Sequence, residues 1–448
     1  MDNKRRIVLF TTFSDCQKAY SLNIVTQTQI KMLLMNNYQP VVIVHESFDA
    51  PIDTVYANPD VVLEKIPNMN VYNEIKKDEN FDRDVEAMVK RLKEIIREDD
   101  IVITHDVIYQ NACLKHNMAA RKVAIDMPKV RWLHWIHSAT SPLLLNMIRP
   151  IFSDEYVNLV QKPFPNSRYV YPNSYAVPAV AKNFGIPEED VRVVPHATDI
   201  CQFFNMPIEL EEVVFNKGIL QADAITVYPN RLDRGKQDEY VIKTMAMLKD
   251  FGLTVRVIIP DFHSTAGDKL DYRDFLKEVA IDYGLSSDEL IFLSEQNPDW
   301  LYEVPQSIIA SLQMISNVFI MPSVSETYSL ITQEAGLTKQ VVVLNQDFPP
   351  FRSIYGENAI YRKYSSRFDV MADLPEAVRE NSSTNTRYGS DTLPDEARKV
   401  AEKEYHRTTA GMIVARLKHP EMAMSTFLRK KRNLQAVFKD HIEPCFYE

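Results

Sequence analysis

Glycine is scarce in this chain of 448 residues. Only 10 residues are glycine, and the first of them is Gly185. A Walker phosphate loop and a dinucleotide-binding fingerprint both need glycines at a strand-to-helix turn, so residues 1–184 can hold neither motif. Collagen-like proteins and glycine-rich linkers are excluded for the same reason.

Paired cysteines and long apolar runs are also missing. Cys16, Cys113, Cys201 and Cys445 show no paired spacing, so neither a disulfide framework nor a zinc ribbon is predicted. A reducing, cytoplasmic setting is the expectation. Because no apolar run approaches the ~20 residues of a bilayer span, and the first residues do not resemble a signal peptide, we predict no transmembrane segment.

The remaining composition is that of an ordinary folded enzyme-sized protein, with 45% hydrophobic and 25% charged residues and a net charge of -10. This acidic balance argues against binding polyanions over the whole surface. The one basic run, residues 429–432, is interpreted as a solvated helix face. Contact with a nucleic acid is the alternative for that run.

Short apolar strands alternate with amphipathic helices along most of the chain. The first series starts with the strand at 7–10 and the second with the strand at 225–228. This alternation predicts an α/β protein with two Rossmann-like, doubly wound parallel sheets, whose strand ends face a ligand cleft. The predicted domains are an N-terminal Rossmann-like acceptor-side domain (1–205), a linker (206–221), a C-terminal Rossmann-like donor domain (222–390) and C-terminal helices that pack back across the hinge (391–448).

A glutamate-containing segment follows the strand at 318–320. Ser325 is a natural N-cap, so the N–H groups of Glu326, Thr327 and Tyr328 are expected to open the next helix and attract an anion. On that helix Glu334 would lie roughly 12 Å and 80° from Glu326. Both glutamates are candidates for lining an elongated ligand. The alternative is a dipole-favoured first-turn glutamate and a surface glutamate.

A second charged loop follows the strand at 225–228. Arg231 and Lys236 lie five residues apart, and as a planar fork and a point charge they are suited to clamp a diphosphate. The alternative interpretation is a solvated turn that closes at Gly235.

Taken together, these residues resemble the donor-binding signature of family-4-type (group 1) retaining glycosyltransferases of the GT-B fold. Arg231 and Lys236 are followed by Pro322-Ser323 and then by Glu326 and Glu334. Residues 193–199 resemble the segment with which that family leaves its first domain.

The resemblance implies a hexosyl or other glycosyl transferase that uses a nucleotide-diphosphate sugar, retains the anomeric configuration and needs neither a metal nor a cofactor. Arg231 and Lys236 would neutralise the leaving diphosphate, and Glu326 would hold hydroxyls of the sugar. The resemblance further assigns the ribose to Glu334 and phosphate oxygens to the backbone of Thr327, Tyr328 and Ser329.

Several of the family's glycines are replaced here. Thr327 and Ser329 stand in the glutamate segment, and Gln237 follows Lys236 in the cation loop. The glycine-rich turn after the first strand becomes residues 11–16. Without glycine the backbone cannot approach a phosphate there in the usual way, so we expect the side chain of Ser14 or of Thr12 to substitute.

Histidines are the candidates on the acceptor side. His137 follows the strand at 132–136, where the family places a histidine near the donor sugar or the acceptor. His105, Asp106 and His196 are acceptor-side candidates. His134 lies inside a strand and is expected to be a packed core residue, and a metal bound between His134 and His137 is not expected because residues three apart on a strand face opposite ways.

Asp82-Arg83-Asp84 forms the sole Asp-x-Asp triplet. Such a triplet is typical of metal-dependent glycosyltransferases of the other major fold. We expect it to lie on the surface instead, because it stands in a charged stretch away from any strand end.

The sequence therefore predicts a metal-independent retaining glycosyltransferase whose partners are a nucleotide sugar and a glycan, small-molecule or DNA acceptor. A hydroxymethyl-pyrimidine base in DNA is the nucleic-acid form of the acceptor. A catalytically silent nucleotide-sugar-binding or interaction protein is the alternative from another functional class. Base recognition is expected near 293–296.

Overall fold

The computed structural model describes most of the chain, and its described residues fall into two compact units. The first unit comprises Met1–Asp199 and Leu434–Glu448, and the second comprises Ile200–Asn433. The described residues are 4–17, 20–67, 78–110, 113–137, 162–232, 234–261, 269–323, 326, 328–364 and 395–447.

The first unit contains a seven-stranded sheet in which every neighbouring pair of strands is parallel. Its order is β3-β2-β1-β4-β5-β6-β7, so the winding reverses between β1 and β4. The strands are β1 (Arg6–Phe10), β2 (Gln39–His45), β3 (Val62–Ile66), β4 (Ile101–His105), β5 (Arg131–Trp135), β6 (Ser167–Tyr171) and β7 (Val191–Val193).

Helices connect these strands in the pattern that parallel pairing demands. The connecting helices are α1 (Ser21–Met35), α2 (Phe81–Ile95), α3 (Leu114–Asp126) and α4 (Val177–Phe184). The end of the chain, with the short helix Leu434–Val437 and a π-helical turn Phe438–Ile442, belongs to this unit.

The second unit has a six-stranded sheet that is parallel throughout. Its order is β10-β9-β8-β11-β12-β13, and the winding reverses between β8 and β11. The strands are β8 (Ala224–Val227), β9 (Val255–Ile259), β10 (Leu290–Phe292), β11 (Val318–Met321), β12 (Val341–Asn345) and β13 (Ile360–Arg362).

Along the chain, the first helices of the second unit precede β8 and the last ones follow β13. They are α5 (Ile200–Phe203), α6 (Ile208–Asn216), α7 (Asp238–Met247), α8 (Lys269–Asp282), α9 (Gln306–Ile315), α10 (Leu330–Leu337), α11 (Pro349–Tyr355), α12 (Asp395–Leu417) and α13 (Pro420–Lys431). The sequence pattern also predicts a helix at 368–380, and that segment lies outside the described residues.

Both faces of the second sheet are buried, which explains why its strands are continuously apolar. Along β8, Ala224 packs into one core cluster and Ile225 and Val227 into the cluster on the opposite face. The predicted α/β class with two Rossmann-like parallel sheets is confirmed. Ligands bind at the carboxyl ends of such strands where the winding reverses, so the loops after β1, β4, β8 and β11 are the places to look for a site.

Residues 206–221, predicted as a linker, contain a packed helix. Leu210, Val213 and Val214 of α6 belong to a core cluster of the second unit. The acidic residues Glu209 and Glu211 lie in the first turn of α6, where they favour the helix dipole. The segment is therefore part of the domain, and the boundary between the two compact units falls after Asp199.

The scarcity of glycine has a visible consequence in the backbone. Among the described residues, eight that are not glycine adopt positive φ. Three of the eight are asparagine and one is Asp106, residue types that tolerate the left-handed region. Leu232, Gln237 and Ser329 are less usual there, and all three lie in the loops that follow β8 and β11.

Candidate functional site

The loop after β8 is held by the side chain of Asn230. Its Oδ1 accepts a hydrogen bond from the N–H of Leu232 at 2.7 Å, and its Nδ2 donates to Oδ1 of Asp238 at 2.7 Å. The hydroxyl of Tyr228 donates to the carbonyl of Lys236 at 3.0 Å. These bonds fix the path of the loop that carries the two predicted cations.

The same loop contains two left-handed residues that are not glycine. Leu232 has φ 57° and Gln237 has φ 55°. Gln237 stands where the resembled family has glycine after its lysine. The chain therefore keeps a glycine-like backbone conformation at this turn without glycine, at a cost of roughly 1–2 kcal/mol per residue.

The loop after β11 differs from the sequence prediction in where its helix begins. Helix α10 starts at Leu330, with Ser329 at the N-cap in the left-handed region at φ 64°. Glu326 and Tyr328 therefore lie in the loop, and Ser325 and Thr327 are outside the described residues. The expected 12 Å of helical rise between Glu326 and Glu334 is wrong, because only Glu334 is helical.

Glu326 and Lys236 meet where the winding of the second sheet reverses. The Lys236 Nζ atom lies 2.5 Å from Oε1 of Glu326, and both side chains are about one-fifth exposed. The two residues are 90 positions apart in the chain and come from the loops after β8 and β11. The tertiary structure thus brings together the cation loop and the glutamate segment.

Arg231 lies on the same loop and is exposed. No ion pair or hydrogen bond of its guanidinium is found among the described residues. Arg234, three positions later, lies with its guanidinium 5.0 Å above the ring of Tyr272 and 5.2 Å above that of Phe275. Both arginines are exposed, but only the guanidinium of Arg234 is stacked on aromatic rings in the described part of the chain.

The residues after Glu326 form a short hydrogen-bonded loop end. The hydroxyl of Tyr355 donates to the carbonyls of Tyr328 and Ser329, each at 3.4 Å. The hydroxyl of Ser329 lies 2.8 Å from that of Thr332 in the first turn of α10. Tyr328 is exposed and Ser329 is buried, while Glu334 is half-buried on α10.

In the first unit, three histidine side chains from separate segments form a row. Nδ1 of His105, at the end of β4, lies 3.1 Å from Nε2 of His137, just beyond β5. The ring of His137 is parallel to that of His196, with a centroid distance of 5.6 Å and an interplanar angle of 3°. His196 follows β7, so the carboxyl ends of three strands supply the row.

With the Gln29 amide oriented as it is in the structure, the hydrogen bonds of this row select one tautomer of His105 and of His137. Nε2 of His105 lies 2.9 Å from Oε1 of Gln29, which can only accept. A neutral His105 therefore donates to Gln29 through Nε2 and accepts at Nδ1 from Nε2–H of His137. In this arrangement Nδ1 is the unprotonated, basic nitrogen of His137.

Burial keeps the row neutral. Desolvation lowers the pKa of His137 to about 4, and it also lowers the pKa of His105 and of His196. Asp106 lies beside the row with φ 59°. Its Oδ1 accepts from the N–H of His137 at 3.3 Å and from the hydroxyl of Tyr109, while burial raises the pKa of its carboxyl to about 6.

The loop after β1 carries Ser14, one of the two residues expected to replace a phosphate-binding glycine turn. Its carbonyl accepts a hydrogen bond from the hydroxyl of Ser47 at 3.1 Å. Thr11 is buried, and its hydroxyl donates to the carbonyl of Ile43 at 2.8 Å. Hydrogen bonds from the hydroxyls of Ser47 and Thr11 to backbone carbonyls therefore hold this loop, which contains no glycine.

A cavity of about 20 Å³ adjoins the histidine row within the first unit. Gln29 and His196 supply polar groups to its wall, while Met32, Trp135 and Val437 are among its apolar lining residues. This volume suits about one water molecule. A sugar-sized ligand would not fit in it.

Three other candidates from the sequence lie outside these loops and the histidine row. His134 is buried in β5, with Nδ1 2.8 Å from the hydroxyl of Thr104, as expected of a core residue. The Asp-x-Asp triplet is not wholly on the surface, because Asp84 is buried and pairs with Lys115 at 2.8 Å. In the segment predicted for base recognition, Ser294 is buried and donates through Oγ to Asp261 at 2.6 Å.

The basic run at 429–432 is likewise not a uniform solvated face. Arg429 is 6% exposed and donates to the carbonyls of Leu220 and Ala222, while Lys430 pairs with Asp223. Burial lowers the pKa of Arg429 to about 10. Two of the four basic residues, Arg429 and Lys430, thus make internal contacts. This weakens the interpretation of the run as a nucleic-acid contact.

Sequence reasoning missed the residues that position the candidates. Gln29 lies in the middle of α1 and looks like any polar helical residue, and nothing in its spacing links it to His105. Tyr109 follows Asp106 by three residues, a spacing that could have indicated a local side-chain pair. Asn230 precedes Arg231 directly, and asparagine before a charged turn was the available signal for a structured loop.

Comparison with known proteins gives structural similarity only. No protein-family model and no curated protein sequence matches the chain. Solved structures that align with it include a glycosyltransferase from Rickettsia africae (13% identity, TM-score 0.34, 99% of this chain and 98% of that one). Others are sucrose-phosphate synthase from Thermosynechococcus elongatus (14%, 0.34, 99% and 97%) and Anabaena HepE in complex with UDP-glucose (13%, 0.34, 99% and 100%). Similarity at this level carries no argument about activity, so the function is argued from the site.

Proposed function

We propose that the protein transfers a sugar from a nucleoside-diphosphate sugar to an acceptor. The observation that carries the proposal is the meeting of Lys236 and Glu326 where the second sheet reverses its winding. A cation and a carboxylate at this position of a doubly wound sheet offer one group for a phosphate and one for sugar hydroxyls. Arg231 adds a second cation on the same loop.

The cations are assigned to the leaving group. Breaking the bond between the sugar and the diphosphate builds negative charge on the phosphate oxygens, and fixed positive charges that face those oxygens stabilise the transition state. Arg231 presents a planar fork for two oxygens, and Lys236 presents a point charge. The hydrogen bonds of Asn230 and Tyr228 fix the path of the loop that carries both cations.

Glu326 is assigned to hydroxyls of the transferred sugar, and Glu334 to the ribose. The contact with Lys236 supports a binding role for Glu326 and not a nucleophilic one, since a paired carboxylate is a weak nucleophile. We further propose that no metal is needed, because two cations are available for the diphosphate. Retention of the anomeric configuration is proposed from the resemblance to family-4-type glycosyltransferases.

The histidine row is assigned to the acceptor side of the reaction. Nδ1 of His137 is the basic nitrogen of the row, and the low pKa of His137 keeps it unprotonated at neutral pH. A neutral imidazole can accept the hydrogen of an acceptor hydroxyl. Asp106 and Tyr109 hold the backbone of His137 in place. The His137→Asn variant is expected to lose transfer while keeping its affinity for the nucleotide.

The test measures hydrolysis and transfer with a panel of nucleoside-diphosphate sugars, with EDTA present throughout. Arg231→Ala and Glu326→Ala are each expected to lower kcat/KM at least a hundredfold. Arg234→Ala is the matched control, because it removes an arginine from the same loop whose guanidinium lies on Tyr272 and Phe275. Unchanged rates in both site variants would contradict the proposal, as would nucleotide binding without turnover across the whole panel.

A further inference from the structure

Helix α13 presents its apolar side chains to solvent. Met424 is 60% exposed, Phe427 46% and Leu428 45%. At 100° per residue these three side chains fall within roughly 100° of the helix circumference and form one stripe along it. We call Met424, Phe427, Leu428 and Lys431 the outer stripe of α13.

The opposite face of the helix is fixed by polar contacts. Thr426 accepts a hydrogen bond from Nδ2 of Asn317 at 3.2 Å. The buried guanidinium of Arg429 donates to the carbonyls of Leu220 at 3.2 Å and Ala222 at 2.6 Å. A rotation that buried the outer stripe would break these bonds and leave carbonyls unpaired, so the apolar stripe stays outward.

Positive charge accompanies the stripe. Lys431 is exposed, and the guanidinium of Arg432 lies 5.0 Å above the ring of Phe427. Arg416 and Lys418, which precede the helix, are exposed as well, while Glu421 in the first turn is the one acidic residue of α13 and is also exposed. The chain as a whole carries a net charge of -10, so this concentration of cations beside apolar side chains is a local departure from its balance.

We propose that the outer stripe of α13 docks on the surface of an anionic lipid bilayer. The helix would lie in the plane of the interface, with Phe427, Leu428 and Met424 between the headgroups and the cations on lipid phosphates. Each cation near an anionic surface strengthens binding roughly fivefold. The contact is peripheral, and no helix of the described residues has the length and apolar character that crossing a membrane requires.

The combination of positive charge and apolar side chains favours an anionic bilayer over a second copy of the chain and over duplex DNA. A second copy that met the stripe across a two-fold axis would bring Lys431 and Arg432 against the same cations. Duplex DNA would satisfy the cations, but its phosphates offer nothing to exposed phenylalanine and leucine. An anionic bilayer supplies both a negative surface and an apolar interior.

The test is co-sedimentation of the full chain with vesicles of phosphatidylglycerol and phosphatidylcholine in equal parts, against vesicles of phosphatidylcholine alone. The wild-type chain is expected to bind the anionic vesicles at least tenfold more tightly. The double variant Phe427→Ser, Leu428→Ser is expected to lose at least tenfold in affinity, and Lys431→Gln with Arg432→Gln a similar factor.

The matched control is Val400→Ser, which removes a side chain that is 66% exposed on α12, away from the stripe. It is expected to bind vesicles as the wild type does, and equal melting temperatures show that all variants are folded. Absence of wild-type binding to anionic vesicles would overturn the proposal. So would duplex-DNA binding or self-association that the Phe427 and Leu428 changes abolish while vesicle binding survives.

Discussion

Nζ of Lys236 lies 2.5 Å from Oε1 of Glu326. One of these residues is assigned to the diphosphate of the donor and the other to its sugar, yet here they bind each other. The carboxylate occupies a position that a phosphate oxygen would take beside the lysine. A nucleotide must therefore displace the carboxylate before it can reach Lys236.

This competition predicts opposite effects on binding and on turnover. Glu326→Gln removes the competing charge, so the affinity for inorganic pyrophosphate or a free nucleoside diphosphate should rise about fivefold, which corresponds to ~1 kcal/mol. Sugar transfer should fall, because the sugar hydroxyls lose a charged acceptor. Titration calorimetry and turnover assays measure the two effects. Glu334→Gln is the control, and weaker pyrophosphate binding by Glu326→Gln would refute the competition.

A glycine restored in the cation loop should stabilise the protein. Gln237 has φ 55°, and its buried Oε1 has no hydrogen-bond partner in the described part of the chain. Gln237→Gly relieves the left-handed strain and removes the unpaired oxygen, and both changes stabilise the fold. The greater conformational entropy of the unfolded chain with glycine offsets part of this gain. We expect the free energy of unfolding to rise by about 1 kcal/mol in urea titrations. Lys339→Gly is the control for backbone strain alone, since Lys339 has φ 62° and is exposed. A larger gain for Lys339→Gly than for Gln237→Gly would contradict this account.

Acid should destabilise the first unit through its buried histidines. Neither ring nitrogen of His116 has a hydrogen-bond partner among the described residues, and burial lowers the pKa of His116 to about 3. Between pH 6.5 and pH 3 the unfolded chain therefore binds a proton that the folded chain does not, so stability is complete above pH 6.5 and declines as the pH falls. Asp106, with its pKa raised to about 6, acts in the opposite direction: its contribution declines as the pH rises from 3.8 to 6.

His116→Leu should change the size and the pH dependence of stability together. The variant removes two buried unpaired nitrogens, and we expect about 1–3 kcal/mol more stability at pH 7. It should also show a shallower decline toward pH 4. Thermal unfolding across this pH range tests both expectations, with the exposed His419→Gln as control. Identical slopes for His116→Leu and the wild type would rule out this role for His116.

Residues of the basic run at 429–432 should differ in how much they contribute to the free energy of unfolding. Arg429→Ala leaves the carbonyls of Leu220 and Ala222 without their donor, so we expect a loss of about 3 kcal/mol in the free energy of unfolding. Lys431→Ala, two positions later and exposed, should change it by less than about 0.5 kcal/mol. Denaturant titration of both variants is the measurement. Similar free energies of unfolding for the two variants would contradict a structural role for Arg429 and would favour the solvated helix face that the sequence indicated.

The two sheets were predictable because parallel strands that are buried on both faces are continuously apolar, and this pattern is visible at 225–228 and 341–344. The meeting of Lys236 and Glu326 was predictable only through the resemblance, since ligand loops at one sheet edge share no sequence pattern. The start of α10 was misplaced because Ser325 looks like a cap. The left-handed turn at Ser329, which sets the true start, leaves no mark when the residue is not glycine.

The sequence by itself determined the fold class, the alternation of strands and helices, and the residue types available for a diphosphate. Those properties follow from local patterns of apolarity and charge. The tertiary structure alone decided that His105, His137 and His196 form a row, that Arg429 points inward, and that the apolar side of α13 faces out. Each of these depends on contacts between residues far apart in the chain, where packing and hydrogen-bond satisfaction, and not local preference, select the conformation.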